Sequence, residues 1–495
     1  MKKRYLAQWI SMLGMGALAA TAFAQESAPV APVVADAAVA PAPANAAALT
    51  LPQAVEKTVL NHPELRARFH DFTSALEGQN VARGGWRPQI TAQGWVGREW
   101  RNNRSGGAPS SDWHRPGWSV ELRQLIFDGG STTNNIRQLG FEKLSTYYEL
   151  KASGDVLANE AVAAYLDVQR YREMQRLAQE NFTMHQNTMN QLRERSESGV
   201  GRGVDMEQAS GRLSLAQTNL MTESNNLNDV SQRYRRLVGE YPAVNLDPVP
   251  EVTEKLPVAG VVTDFGSELR AHPSLLSKQA LVQAAEAGQN SAKALHAPTL
   301  DLRASTGRDR ADEFDDRRMQ SSRAQLMLTY PIYRGGSDEA RIRQTVAQTY
   351  AAQDVRDYTC RNVQQELSVT WNNIQRMRQQ MPFLQEHEMS TSKVRVAYQQ
   401  QFQIGQRSLL DLLDTENELF DARRALLNAQ YDLKKAEYQW LTLSSKIIPA
   451  LTLAPVHEDS QPEEHGELAL PDDIVMACQT PVPDTSNLVP VIASK

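Results

Sequence analysis

Cysteine is almost absent from this chain: there are two in 495 residues, Cys360 and Cys478. That count excludes a disulfide framework. A single bridge is open in an oxidising compartment, but the placement of Cys360 in helix-forming sequence and Cys478 in a polar tail argues against it. Long apolar runs are also scarce. Beyond the N-terminal region none reaches the ~18 residues that a membrane-spanning helix needs, so any entry into a membrane has to be made by strands. A basic excess is missing too: 52 Lys and Arg against 58 Asp and Glu leave a net charge of −6, which gives no reason to expect nucleic acid. No catalytic set and no glycine-rich phosphate loop occur, and no cofactor or metal site is implied. His62 and His272 each precede a proline at a helix start, and their matched positions mark a repeated turn and not acid/base chemistry.

What is present begins with Lys2, Lys3 and Arg4, an apolar stretch from Ile10 to Phe23, and the small-x-small site Ala22-Phe23-Ala24. This is the pattern of a secretory signal peptide over residues 1–24. Cleavage there would leave Gln25 first, with no cysteine to accept a lipid. Residues 25–48, nearly all Ala, Pro and Val, read as a flexible leader, and the acidic, Pro-rich residues 449–495 as a solvated tail.

Between these ends the chain repeats itself. Asn61-His62-Pro63-Glu64-Leu65 returns as Ala271-His272-Pro273-Ser274-Leu275, and Arg87-Pro88-Gln89-Ile90 as Ala297-Pro298-Thr299-Leu300, at an offset of 210. The register then slips to 206, where Phe127-Asp128-Gly129-Gly130-Ser131 matches Tyr333-Arg334-Gly335-Gly336-Ser337. Gly199 ahead of Val204 and Asp205 matches Gly405 ahead of Leu410 and Asp411 at the same offset. The lost residues predict a longer loop in the first half between Pro88 and Gly129. The spacing sets a first repeat at 49–245, a linker at 246–260 and a second repeat at 261–448.

Each repeat reads as helix, two strands, long helix, tight turn, helix. Strands are expected at about 88–100, 117–128, 298–308 and 322–333, where apolar residues such as Ile90, Val96, Trp118, Val120, Leu326 and Leu328 alternate with polar ones. Polar loops at about 101–116 and 309–321 would face outward. Strands of this length suit a tilted bilayer crossing. Four strands cannot close a barrel, and lipid does not tolerate an open sheet edge, so several chains must contribute; three would give twelve strands. The rest is polar and helix-forming, with long helices expected over about 132–238 and 337–447. At 1.5 Å per residue, each stretch of about 65 unbroken residues makes a rod of roughly 100 Å. The narrow apolar stripe, including Leu409, Leu412, Leu413, Leu419 and Phe420, predicts coiled-coil-like packing.

The duplicated plan, the two aromatic-x-Gly-Gly junctions at Gly129-Gly130 and Gly335-Gly336, and the stretch Phe-Gln-Ile-Gly-Gln-Arg-Ser-Leu-Leu-Asp-Leu-Leu-Asp at 402–414 together resemble the TolC family of outer-membrane efflux proteins. The resemblance covers about residues 50–448. It implies a mainly α fold with membrane β: a homotrimer whose twelve-stranded β-barrel in outer-membrane lipid continues into a twelve-helix α-barrel tunnel in the periplasm. It implies a passive exit duct opened by a periplasmic adaptor (membrane fusion) protein and an inner-membrane ABC exporter or proton-driven pump. Type I protein secretion is the favoured role, with small-molecule or metal efflux, or a non-pore coiled-coil scaffold, as alternatives.

Within 402–414, Gly405 suits a left-handed turn and Ser408 a helix cap. Asp411 and Asp414, three apart, share a helix face. The resemblance places both at the periplasmic entrance gate, as stacked carboxylate rings that attract cations. By spacing alone they are equally well read as solvated first-turn carboxylates. Arg407 matches a residue that helps tie neighbouring coils shut, with Asp205 and Val204 on the facing turn. Phe402 stands where the family has a tyrosine whose hydroxyl reaches the aspartate matching Asp205, a bond phenylalanine cannot make.

Overall fold

The computed structural model describes residues 49–101, 111–198, 203–257, 264–309, 319–454 and 468–479, all within one structural unit. The expected signal peptide and leader, Gly199, and most of the acidic tail lie outside the described residues.

The first repeat opens with α1 (Leu51–Asn61), started by a reciprocal cap in which Thr50 Oγ1 accepts from Gln53 N and Gln53 Oε1 accepts from Thr50 N. His62 then leaves helical geometry, at φ −68° and ψ 129°, because it precedes Pro63, and α2 (Pro63–Arg83) begins. Strands β1 (Gln89–Arg101) and β2 (Ser111–Phe127) follow, then α3 (Ser131–Glu197) and α4 (Gly203–Val238). The second repeat runs through α5 (Gly266–Ala271), α6 (Pro273–Lys293), β3 (Thr299–Asp309), β4 (Met319–Thr329), α7 (Ser337–Gln403) and α8 (Leu409–Leu443). His272 repeats the break of His62, at φ −71° and ψ 117°. Two short helices, α9 (Ile447–Ala450) and α10 (Asp472–Cys478), finish the described chain.

The four strands form one antiparallel sheet in the order β1-β2-β3-β4. Two strand ends differ from the sequence expectation. Pairing from Gln89↔Arg123 to Arg101↔Ser111 starts β2 at residue 111 instead of about 117, so the outer loop is shorter than expected. Strand β4 stops at Thr329 instead of about 333, just before Pro331, which has no N–H to give the ladder. The first hairpin has strands of 13 and 17 residues against 11 and 11 in the second, so the extra residues of the first half lengthen its strands.

One face of the sheet is apolar and bare, with Ile90, Val96, Trp100, Leu326 and Leu328 all exposed. The other face carries charge in matched pairs. Arg115 binds Glu99 at 2.8 Å and Asp309 at 2.9 Å, and Asp301, fully buried, takes Arg123 at 3.1 Å and Arg303 at 3.3 Å. Gly117 makes room for the ring of Trp95 across the strand pair, which a Cβ there would approach to 2.4 Å. No helix among the described residues is long and apolar enough to cross a membrane.

Gly129 and Gly130 (φ 68° and 88°) turn β2 into α3, and Gly335 and Gly336 (φ 64° and 79°) turn the second hairpin into α7, a left-handed backbone that glycine adopts without penalty. α3 and α7 each run 67 residues, a rod of roughly 100 Å. Pro382 is carried inside α7 without ending it. The main core sits partway along the rods, where Trp440 packs 5.2 Å from Trp371 and 5.1 Å from Phe265, and Tyr165 donates to the carbonyl of Asp247 at 2.9 Å.

That core also corrects the expectation for the C-terminus. Residues 468–479 are not a solvated tail: Leu470 and Val475 are buried in the core, Arg270 binds Asp472 at 3.0 Å, and Gln479 donates to Asp264 at 3.0 Å. Cys360 and Cys478 are joined in a disulfide, the bridge the sequence argued against; helix α10 brings Cys478 to the flank of α7, a placement no local pattern encodes. A bridge spanning 118 residues stabilises a fold by up to about 5 kcal/mol in the chain-entropy account. Replacing Cys360 and Cys478 together by serine should lower the urea midpoint and make the segment around residues 468–479 open to protease, whereas unchanged protection would show that the ion pairs and core contacts suffice.

Candidate functional site

The far end of α7 is closed by local chemistry. α7 ends where Gly405 takes φ 77°, with Gly405 N donating to Phe402 O at 3.1 Å and Gln406 N to Gln401 O at 2.9 Å. Ser408 then caps α8, its hydroxyl accepting from Asp411 N at 3.2 Å. On the other coil the turn containing Gly199 lies outside the described residues. α4 begins at Gly203, with Val204 exposed and Asp205 half-buried.

Asp411 and Asp414 both lie on the first turns of α8 with their side chains 42% and 55% exposed. Neither is a bare carboxylate. Arg407 approaches Asp411 at 3.6 Å from the preceding turn, and Arg212 of α4 binds Asp414 at 2.6 Å. Arg212 is the partner of Asp414 that sequence reasoning missed. Its counterpart at the 206 offset is Glu418, so the repeat gives no hint of it, and it stands 202 residues from its partner. Along the same parallel seam Arg424 of α8 binds the buried Glu223 of α4 at 2.9 Å, so the two ion pairs cross with opposite sign. Beside them His185 of α3 is buried. Burial pushes its pKa below the usual value, the Asn417 side chain opposes this, and the Arg212 guanidinium adds to it.

Four of the remaining predicted residues, Asp205, Phe402, Gly405 and Arg407, line one cleft between the coils, while Val204 is exposed and does not line it. Phe402 has a cationic partner in place of a hydroxyl bond: the Arg195 guanidinium of α3 lies 5.2 Å from its ring. Leu192, Ala209, Leu409 and Leu413 form a small apolar cluster against it. Arg407 is tied within its own coil, donating to Gln401 Oε1 at 3.0 Å and lying 4.1 Å over the ring of Tyr398. A turn that holds its own arginine in this way leaves Asp205 without a direct ion pair to Arg407 inside the chain. Among the described residues no group of three His, Cys, Asp or Glu side chains is placed to hold a metal.

The chain and its fold are similar to known proteins. The sequence model described as outer membrane efflux protein matches residues 54–240 and 266–443, one segment for each repeat. The chain is 26% identical over 418 residues to outer membrane efflux protein BepC of Brucella suis, covering 84% of this chain and 89% of that protein. It is 25% identical over 407 residues to outer membrane protein TolC of Escherichia coli, covering 77% and 79%. In three dimensions it superposes on the CmeC outer membrane channel of Campylobacter jejuni with a TM-score of 0.73 at 15% identity, covering 83% of this chain and 87% of that one. With both repeats matched and a common architecture, the chain belongs to the outer membrane efflux protein family.

Proposed function

We propose that three copies of this chain form one passive exit duct of a tripartite export system. In it each copy contributes its four strands to a closed barrel and its four long helices to a tunnel. The supporting observation is the four-stranded sheet with one bare apolar face and two free edges, β1 and β4, standing at the end of roughly 100 Å rods. In hydrocarbon every unpaired backbone N–H and C=O costs several kcal/mol, so those edges require strands from other copies. The protein is an outer-membrane protein with its helical part in the periplasm, as its family membership states.

The narrow end of the tunnel is the entrance, and Asp411 and Asp414 are its gate carboxylates. Three copies set three of each around the axis, where like charges concentrate counter-ions and disfavour anions. Arg407, Phe402, Asp205 and Val204 hold the coils in the closed arrangement, and a periplasmic adaptor with an inner-membrane pump opens it. Energy comes from the pump, either an ABC exporter or a proton-driven one. We assign the duct to type I protein secretion, with the 402–414 entrance turn as the supporting feature.

If the chain forms such a duct, unheated outer-membrane samples should migrate as a trimer on denaturing gels and collapse to the monomer on boiling. Recovery as a soluble periplasmic monomer would end the duct reading. In planar bilayers, Asp411→Asn with Asp414→Asn should weaken block by hexaamminecobalt(III) by an order of magnitude or more at low salt, where screening is weakest. The Arg212→Gln variant should act in the opposite sense. Removing the guanidinium that neutralises Asp414 unmasks a carboxylate per copy, so block should tighten several-fold. Loss of block in Arg212→Gln would instead mean that Arg212 serves to hold Asp414 in place.

A further inference from the structure

The face of the sheet that carries Ile90, Val96, Leu326 and Leu328 is not apolar to its outer end. Far from the helices it turns basic, and the change is written twice in the sequence. Gly97-Arg98-Glu99 of β1 returns as Gly307-Arg308-Asp309 of β3 at the 210 offset. Strand alternation sends the arginine and the acid of each tripeptide to opposite faces. Glu99 and Asp309 lie on the charged face, where the single guanidinium of Arg115 takes both, at 2.8 Å and 2.9 Å. Arg98 and Arg308 lie on the other face, beyond the apolar residues, and both are exposed.

The height of these arginines follows from the strand. Each stands eight residues beyond a matched apolar residue, Ile90 in β1 and Leu300 in β3. At ~3.4 Å per residue that is about 27 Å of strand. At the ~40° tilt of a membrane barrel it is about 20 Å of height, close to the ~25 Å apolar band of such barrels. Both arginines therefore reach the level where outer acyl chains give way to headgroups. Their register partners suit that level: exposed His114 stands opposite Arg98, and Trp118, 45% exposed, opposite Arg308. Strands β1, β3 and β4 place no carboxylate on this face, and Arg308 makes no ion pair with any described residue. The nearest acidic position on β2 by register is Asp112, the partner of Trp100, two residues further out than the Arg98↔His114 pair. At the helix end the same face carries no arginine or lysine on any of the four strands.

We propose that Arg98, Arg308 and His114 form a binding site for the phosphates of the glycolipid that fills the outer leaflet of the outer membrane. The site rests on the barrel proposed above, which turns this face to lipid. A guanidinium fork matches a phosphate in two parallel N–H···O bonds and does so best where water is scarce. The register partners of the two arginines are four residues apart on β2, and the arginines themselves are two strands apart. Those steps put their Cα atoms roughly 17 Å from each other. Two long side chains at that spacing can close on a disaccharide headgroup that carries a phosphate at each end, with the acyl chains lying along Ile90 and Val96. A lipid with a single phosphate engages one arginine at a time. Basic residues confined to the outer end of the face select the outer leaflet, whereas arginines that merely reach for any headgroup would be spread over both ends.

The test uses the full chain purified from outer membranes in mild detergent, with lipid adducts counted by native mass spectrometry. Diphosphorylated lipid A should bind more tightly than its monophosphorylated form or phosphatidylglycerol. Arg98→Gln with Arg308→Gln should weaken that binding by about tenfold or more. Arg98→Lys with Arg308→Lys, which keeps the charges and loses the forks, should fall between the two. Arg323→Gln, which removes an exposed arginine from the opposite face, should bind as the natural chain does. If the double glutamine variant does not assemble, each single variant should still show a several-fold loss. Equal affinity for the two lipid A forms, unchanged affinity in the glutamine variants, or an equal loss in Arg323→Gln overturns the proposal. So does displacement of the bound lipid by millimolar inorganic phosphate, which would make this a site for free anions. If unheated samples still migrate as an oligomer in those cases, only this site is wrong. If the natural chain is recovered as a soluble monomer, the barrel falls with it.

Discussion

Backbone amides and carbonyls cannot be left unpaired in hydrocarbon, and this constraint shapes the rest of the molecule. The chain supplies four strands, whose inner ladders are complete and whose outer ladders on β1 and β4 are not. An apolar face made of Ile90, Val96, Trp100, Leu326 and Leu328 commits the sheet to lipid, and lipid in turn forbids its open edges. The opposite face can then afford charge, and the Arg115 and Asp301 clusters cross the strands there with each carboxylate matched to a guanidinium.

Duplication gives the two halves of the chain one shared joint, between β2 and β3 and between α3 and α6. The slip from 210 to 206 residues leaves the helices in step and falls in the hairpins, where the first pair of strands is longer than the second. Surface exposure follows the same logic. Positions buried in α6 are exposed in α2 although the two helices start from the same His-Pro break, because only α6 has both neighbours inside its own chain.

At the tips, electrostatics is divided between local and distant partners. The Arg407–Asp411 contact is made within one turn of chain, and the Ser408 cap and Gly405 bend fix its geometry. The Arg212–Asp414 and Glu223–Arg424 pairs instead bridge α4 and α8, helices from different repeats. The half-exposed Arg212–Asp414 pair contributes at most about 1 kcal/mol, and the Arg424 pair serves to satisfy the buried Glu223 beside a small apolar cluster.

Much of the fold was legible in the sequence because it is locally encoded. Alternation marked the strands, His62-Pro63 and His272-Pro273 marked helix starts, the paired Gly-Gly motifs marked the strand-to-helix turns, and Gly405 with Ser408 marked the tip. These depend on steric and hydrogen-bonding rules that act over a few residues. The strand ends were less legible, since β2 is extended by its partner β1 as much as by its own residues. The partners of Asp414 and Cys478 were not legible at all. Arg212 and Cys360 lie 202 and 118 residues away, in pairings that the repeat offsets do not reproduce, and only the packing of α4 on α8 and of α10 on α7 brings them into contact.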